Sequence, residues 1–455
     1  MLTRLTAVSL LASLLYACGG SGGGGTGGGT GTTAGGSTAG GAGSMAGGNT
    51  AGGSSAGGSA AGGTGTAGGS TAGGAQLSAD AGTPEVRLIG EIGADFAIDM
   101  TASNRVALAH LLPRGTSTTQ LAYSVIPETG IDGGVVETRP IITGENQALC
   151  GMGIDGTGRA HVAYLDPLGT QNPQVYYGAA EADGGWSREA VEPGAFVNAY
   201  MCKFRLAPDG TPHVVYRLEN AVPADGGTVG DRVVRHAQRR PDGSWELAIV
   251  ERSGAANVFG SSLGLAVSAT NEPAVSYLAY QGADVVNRVA LRTGGAGGTW
   301  ARETAGMPYQ TNAAPVKGSA EYGPAGQLYV AFPRLGAIQK LMTYVRPAGG
   351  GWQPGANMDI GNGTDTSVFG FNPYIRFDDA GVPWVSYIES DGNVRHASVV
   401  RLSPGNVLRA RIYPTTVTLP VNGVEHAFDS SGRLHVVFTT RFGSLSSKLH
   451  HVLMR

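Results

Sequence analysis

Charge, sulfur and long apolar runs are all scarce in this 455-residue chain. Basic and acidic residues number 31 and 34, a formal net charge of −3, and no block of Lys or Arg stands out. The electrostatic footprint of a nucleic-acid binder is therefore missing. No apolar run after Cys18 reaches the roughly 18 residues needed for a membrane-spanning helix, so no later segment is expected to cross a membrane. A phosphate-binding loop and a His-Glu-x-x-His helix are both wanting. Among the nine histidines, His161, His213 and His435 occupy equivalent places in separate repeats, while the adjacent His450 and His451 point to opposite faces of a strand. Convergence on a transition metal is not expected, and no cofactor is.

The N-terminal 75 residues or so are of a different kind from the rest. Met1 to Tyr16 carries a single charge, Arg4, followed by an apolar run through Leu15 that is too short to span a bilayer. This reads as a signal peptide of residues 1–17. Leu15, Tyr16, Ala17 and Cys18 resemble the lipobox of bacterial lipoproteins, which implies that Cys18 becomes the lipidated first residue and anchors the chain to a membrane. From Gly19 to about Gly74 the chain is Gly, Ala, Ser and Thr, broken only by Met45 and Asn49 and without a charge. Such a segment has nothing to bury against the entropy of ordering and is expected to be a disordered tether over 18–80. Its typical span is about 40 Å, from 5 to 6 Å times the square root of about 60 residues. A lipid-anchored, extracytoplasmic protein of a bacterial cell envelope follows, at the outer membrane or cell surface.

Residues 84–455 are built from a repeat. The stretch RAHVAYL at 159–165 has recognisable copies beginning at Arg105, Arg159, Thr211, Glu272, Gln327, Val382 and Arg433, spaced by 54, 52, 61, 55, 55 and 51 residues. That period suits one four-stranded antiparallel blade per copy, and seven copies predict an all-β, seven-bladed propeller. The residue before each start is Asn104, Gly158, Gly210, Asn271, Gly326, Gly381 or Gly432, the two types that best tolerate positive φ, which predicts a tight turn at each. Five residues after each start stands His110, Tyr164, Tyr216, Tyr277, Phe332, Tyr387 or Phe438, a large side chain on an alternating strand. Four blades open their outer strand with Trp186, Trp245, Trp300 or Trp352, which are expected to pack blade on blade. Blade seven ends at Arg455 after its third strand, so Glu85 to Ile89 is predicted to supply the missing fourth.

The strands Gly210 to Tyr216 and Gly381 to Tyr387 resemble those of bacterial propeller proteins with a repeated Gly-x-Pro-His-Val-x-Tyr strand and a Trp-led outer strand. The whole domain from about residue 85 is similar to the fucose-specific-lectin-like and sialidase-like propeller superfamilies. The sialidase resemblance implies an Arg cluster for a carboxylate, a Tyr nucleophile with an acidic partner and an Asp acid/base. Phe204, Arg205, Leu206 and Ala207 follow its Phe-Arg-Ile-Pro motif without the Pro and in the third blade. Asp242 stands three residues before Trp245, where the family's Asp-box has five. The lectin resemblance implies Arg, Glu and Trp sets between blades, which do not recur here blade by blade.

Positions six before each repeat start are Asp99, Gly153, Arg205, Ala266, Glu321, Arg376 and Ala427, and two residues earlier stand Ala97, Gly151, Lys203, Gly264, Ser319, Tyr374 and Glu425. If this face leans toward the ring axis, charges of both signs converge at the channel. Asp99, Lys203, Arg205, Glu321, Tyr374, Arg376 and Glu425 are the candidate ligand-binding residues there, with self-compensating ion pairs in a water-filled channel as the plainer account. Trp384 is a further candidate, because its equivalents are Ala107, His161, His213, Ala274, Tyr329 and His435. No catalytic residue is assigned. The sequence favours non-catalytic recognition of a glycan or protein, with a sialidase-like glycoside hydrolase or a purely structural envelope protein as alternatives, and leaves the oligomeric state open. Cys150 and Cys202 both stand nine residues before their repeat starts, at one level of adjacent inner strands. They are either a disulfide worth roughly 3 to 4 kcal/mol or two buried thiols.

Overall fold

The structure, a computed structural model, describes residues 86–454 except 94, 115–117, 127–136, 143–146, 167–172, 194–198, 219–231, 254–261, 282–283, 296, 307–317, 335–337, 363–372, 392–393, 404–405, 413–420 and 442–446. The expected signal peptide, Cys18 and the expected tether lie outside the described residues.

Every described strand belongs to one of seven four-stranded antiparallel sheets. Strand β1 (Val86–Ile92) comes first in the chain. Blade one follows, with β2 (Phe96–Met100), β3 (Val106–Arg114), β4 (Thr118–Val125) and β5 (Glu137–Pro140). Blade two is β6 (Ala148–Ile154), β7 (Ala160–Asp166), β8 (Gln174–Ala179) and β9 (Glu189–Ala190), and blade three β10 (Ala199–Leu206), β11 (Pro212–Leu218), β12 (Arg232–Arg239) and β13 (Trp245–Ser253). Blade four holds β14 (Gly264–Val267), β15 (Pro273–Gln281), β16 (Asp284–Thr293) and β17 (Thr299–Thr304), and blade five β18 (Ser319–Tyr322), β19 (Leu328–Arg334), β20 (Ile338–Arg346) and β21 (Gln353–Asn362). Blade six is β22 (Tyr374–Phe377), β23 (Pro383–Asp391), β24 (Val394–Ser403) and β25 (Asn406–Ile412). Blade seven is β26 (Val421–Phe428), β27 (Leu434–Arg441) and β28 (Ser447–Met454), and its outer strand is β1. The closing strand pairs Val86 with Val452 and Ile92 with Ser447, running three residues beyond the predicted end at Ile89.

The turn between the first two strands of each blade is the same device seven times. The residue before the repeat start has positive φ in every blade, from 57° at Asn104 to 84° at Gly158. Its backbone N–H donates to the carbonyl three residues back, as from Gly158 to Asp155 at 2.9 Å, and the Asp155 N–H donates to the Arg159 carbonyl at 3.0 Å. A type I turn closed by a left-handed residue has this pattern, so Gly or Asn is required where a Cβ-bearing branched residue would clash.

Burial follows from the ring. Seven clusters of buried apolar residues lie one at each interface between neighbouring blades, for example Ala163, Leu165 and Tyr177 of blade two against Phe204, Val214 and Tyr216 of blade three. The largest fully buried side chains are Tyr164, Tyr216, Tyr277, Tyr387, Phe332 and Phe438, six of the seven residues five places after a repeat start. His110 takes the seventh place at 3% exposure, with its ring nitrogen on Ser124 Oγ at 2.8 Å. The tryptophans pack on the third strand of the preceding blade: Trp186 on Tyr123, Trp245 on Tyr177 and Trp300 on His236, with ring centroids 5.5 to 5.6 Å apart.

Candidate functional site

The first strand of each blade runs along the ring axis, and strand alternation turns every second side chain toward it. In β10, Arg205 takes this orientation and spans the axis. Its Nη1 donates to the Tyr374 hydroxyl of β22 at 3.3 Å, its Nη2 bonds to Glu321 of β18, and its Nε reaches the Leu265 carbonyl of β14 at 3.4 Å. Blades three and six are three places apart, the largest separation a seven-membered ring permits. One side chain thus ties four blades together at the axis.

Tyr374 accepts a second hydrogen bond from Arg376 Nη2 at 2.7 Å, and both guanidinium carbons lie over its ring, 5.2 Å away for Arg205 and 5.1 Å for Arg376. Arg376 Nη1 is also 3.8 Å from Glu321 Oε2. Burial pushes the Tyr374 hydroxyl pKa up, with the two arginines opposing it. For Arg376, burial alone would lower the pKa, but Tyr374, Glu321, Asp99 and Glu425 outweigh it, and the guanidinium is held more firmly charged than in water. Asp99 of β2 accepts from the Ile154 N–H at 2.8 Å and from the Met100 N–H at 2.9 Å. Glu425 of β26 accepts from the Ile98 N–H at 3.0 Å.

Two axial cavities result. The inner one, about 30 Å³, is lined by Lys203, Arg205, Tyr374 and Glu425 together with Ala97, Gly151, Gly264 and Ser319, and has room for about one water. The outer one, about 180 Å³, opens among the tight turns, where Asp155, Gly156, Pro208 and Gly210 form its rim and Asp99, Arg205, Glu321 and Arg376 its charged wall. Arg205 lines both and forms the partition. Gly264 is small for a reason: a Cβ there would stand 2.9 Å from the Ala320 backbone nitrogen and 2.4 Å from Ser276 Oγ.

Seven of the sequence-selected residues, Asp99, Lys203, Arg205, Glu321, Tyr374, Arg376 and Glu425, therefore line this axial region. Trp384 has a different task. Its indole Nε1 donates to Asp378 Oδ2 at 3.0 Å, and its ring meets Phe428 edge-on at 5.7 Å. His161 and His435 contact Asp155 and Asp429 in the same way, at 2.9 and 3.3 Å. A carboxylate four residues before a repeat start, with His or Trp two residues after it, is the sequence signal that would have identified Trp384 as a turn fastener. Cys150 and Cys202 are joined as a disulfide between β6 and β10, with Cα atoms 4.8 Å apart, inside the range such a bridge requires. The bridge stands beside the inner cavity, where Cys150 is part of the wall.

Residues 260–264, GSSLG, match the spacing of a serine-hydrolase nucleophile elbow, and Ser262 has a φ of 62°. The context is wrong for that chemistry: Ser262 is fully buried and leads into strand β14 instead of a helix.

Neither a protein-family model nor a curated protein matches the sequence. Some solved structures are similar to it at low identity. A protein of unknown function from Dyadobacter fermentans is similar over 81% of this chain and 99% of its own, at 10% identity and a TM-score of 0.46. A point variant of the NanB sialidase from Streptococcus pneumoniae is similar over 82% of this chain and 68% of its own, at 12% identity and a TM-score of 0.41. The polysaccharide lyase Uly1 is similar over 79% of this chain and 89% of its own, at 11% identity and a TM-score of 0.45. This chain is an all-β seven-bladed propeller of four-stranded antiparallel blades.

Proposed function

We propose that this protein is a lipid-anchored, extracytoplasmic recognition propeller that holds a glycan or protein ligand at the axial mouth without transforming it. The observation that supports this most is the bonding of Arg205 to Tyr374 and Glu321 across the ring. Polar groups held in place before a ligand arrives lose little entropy on binding, which is what a recognition site needs. Tyr374 is poorly suited to attack a substrate, since its hydroxyl is occupied by two guanidinium donors and burial opposes its ionisation. A sialidase-like hydrolase is the second reading, favoured by the presence of two arginines, a tyrosine and a glutamate in one cluster. In it Glu321 would serve as the acidic partner of Tyr374, yet the Glu321 contacts are to Arg205 and Arg376.

A glycan array probed with the mature protein in detergent, run beside a fluorogenic sialoside assay, separates the two. Recognition predicts glycan retention that Arg205→Gln weakens at least tenfold, with no sugar released. Sialoside turnover abolished by Tyr374→Phe would establish the hydrolase instead.

The anchor is proposed on the Leu15 to Cys18 motif, and acyl anchoring of this kind holds a soluble domain at a bilayer. Cys18→Ser should abolish metabolic labelling with a fatty acid and move the protein from the membrane pellet to the supernatant. Unchanged labelling would remove the anchor from this reading.

A further inference from the structure

Four of the charged residues of the mouth stand at equivalent places and alternate in sign around the axis: Asp99 in blade one, Arg205 in blade three, Glu321 in blade five and Arg376 in blade six, with the uncharged Gly153, Ala266 and Ala427 between them. Asp155 on the rim is a third carboxylate, held by Thr157, Arg159 and His161 of its own blade, so positive charge is not in excess. Arg205 has committed Nε, Nη1 and Nη2 to Leu265, Tyr374 and Glu321, and Glu321 is flanked by both guanidiniums. The other two make no hydrogen bond to a charged partner among the described residues. Asp99 accepts one backbone N–H on each oxygen, leaving roughly half of the four or so lone-pair sites of a carboxylate open. Arg376 spends one N–H on Tyr374 and lies at 3.8 Å from Glu321, with no further bond among the described residues, out of the five that a guanidinium carries.

A wall of this kind offers a ligand one acceptor and one donor without an excess of positive charge. An anion would meet three carboxylates against two guanidiniums. A zwitterion would match both signs but would shed the hydration of two full charges on entry. A hydroxyl sheds far less, and each hydroxyl both donates and accepts. The volume adds a limit: about 180 Å³ is below the roughly 300 Å³ at which whole-ligand pockets begin, so only the end of a larger molecule enters. Among the described residues no aromatic face lines this cavity, and both guanidiniums already lie over Tyr374.

Resting on the recognition reading above, we propose that the mouth receives the edge of an uncharged terminal sugar through two neighbouring hydroxyls, one donating to Asp99 and one accepting from Arg376. The bonding is edge-on and independent of ligand charge. The site differs in both respects from an arginine cluster that clamps a carboxylate.

Calorimetric titration of the detergent-solubilised mature protein tests this with galactose, mannose and fucose as neutral sugars, N-acetylneuraminic acid as an acidic one and alanine as a small zwitterion. At least one neutral sugar is expected to bind, with an affinity that changes less than twofold between 50 and 500 mM NaCl, as follows for a ligand without charge. Arg376→Gln and Asp99→Asn should each weaken it at least tenfold. Gly156→Trp provides a check that touches neither residue, since a Cβ at Gly156 has open space around it and the indole would narrow the rim. It should abolish binding at an unchanged melting temperature. Salt-sensitive binding of the acidic sugar in preference to the neutral ones would overturn the neutral-ligand proposal and leave glycan recognition standing. Binding of alanine alone would replace the diol with a zwitterion. Neutral sugar binding untouched by all three variants would move the site elsewhere, and failure of every sugar would remove the proposal together with the glycan reading.

Discussion

Two asparagines stand where the other five blades use glycine, and their side chains explain the substitution at the cost of a strained φ. Asn271, at φ 64°, accepts from His213 Nε2 at 2.6 Å and donates to Asp209 Oδ2 at 3.1 Å, both in the preceding blade. Blade three has Ala207 where Asp155 and Asp429 sit in blades two and seven, so His213 has no carboxylate at that place in its turn and bonds to an oxygen from blade four. Asn104, at φ 57°, makes one exposed bond, accepting from the Ser430 N–H at 3.0 Å. Glycine at either place relieves strain worth about 0.5 to 1 kcal/mol. At Asn271 it also strands a buried imidazole, which costs about 1 to 3 kcal/mol. Asn271→Gly should therefore destabilise by about 1 to 2 kcal/mol in urea titration while Asn104→Gly stays within about 0.5 kcal/mol of the wild type. Equal effects would show that the His213 contact carries no weight.

At the scale of the element, β1 decides whether the ring is closed. It covers the edge of β28 over the whole register from Val86 to Ile92, and Ile92 is buried in the cluster between blades seven and one. Without it β28 would present an unpaired edge, and the first and last blades would lose the chain segment that joins them. Deleting Val86–Ile92 should lower the melting temperature by more than about 10 °C or prevent folding, whereas deleting Gly20 to Ser70 should shift it by less than about 2 °C. Similar shifts from the two deletions would rule out the closure role. The Cys150–Cys202 bridge acts between blades two and three, tying β6 to β10 across a 52-residue separation. The chain-entropy argument gives such a loop about 4 kcal/mol, and the bridge adjoins Lys203 and lies three residues from Arg205.

For the whole molecule, buried histidines set the acid limit. Burial lowers His110, His213 and His450 to about 4, and His426 and His451 to about 3, from an ordinary 6.5; the hydrogen bond His213 donates to the Asn271 oxygen works against the shift there. Between the folded value and 6.5 each binds fewer protons in the folded state than in the unfolded one. Stability therefore falls as pH falls through that window, by up to about 1.4 kcal/mol per pH unit for each histidine. Asp155 and Asp429 add a second loss at lower pH: burial would raise their pKa, but their turn hydrogen bonds from Thr157 and Ser431 and their neighbours outweigh it and hold them well below the usual carboxylate range. The urea midpoint should drop steadily from pH 7 to pH 4. A midpoint that is flat down to pH 4.5 would mean these imidazoles are solvated.

Architecture was legible because a repeat states its local physics seven times. Only Gly and Asn before each repeat start, and a large side chain five places after it, already imply seven identical turns and seven packed interfaces, and an orphan strand before blade one implies closure. Periodicity also placed Arg205, Tyr374, Glu321 and Arg376 on one face of their strands. Which of them touch was beyond it, since Arg205 and Tyr374 are 169 residues apart and meet only after the ring has closed. Trp384 shows the converse: its partner Asp378 is six residues away, yet the pairing depends on the curl of one turn and not on strand alternation. Local backbone preference and side-chain period are properties of neighbours in sequence and determine the blades. Which charged side chains meet at the axis is a property of distant strands and was decided by tertiary structure alone.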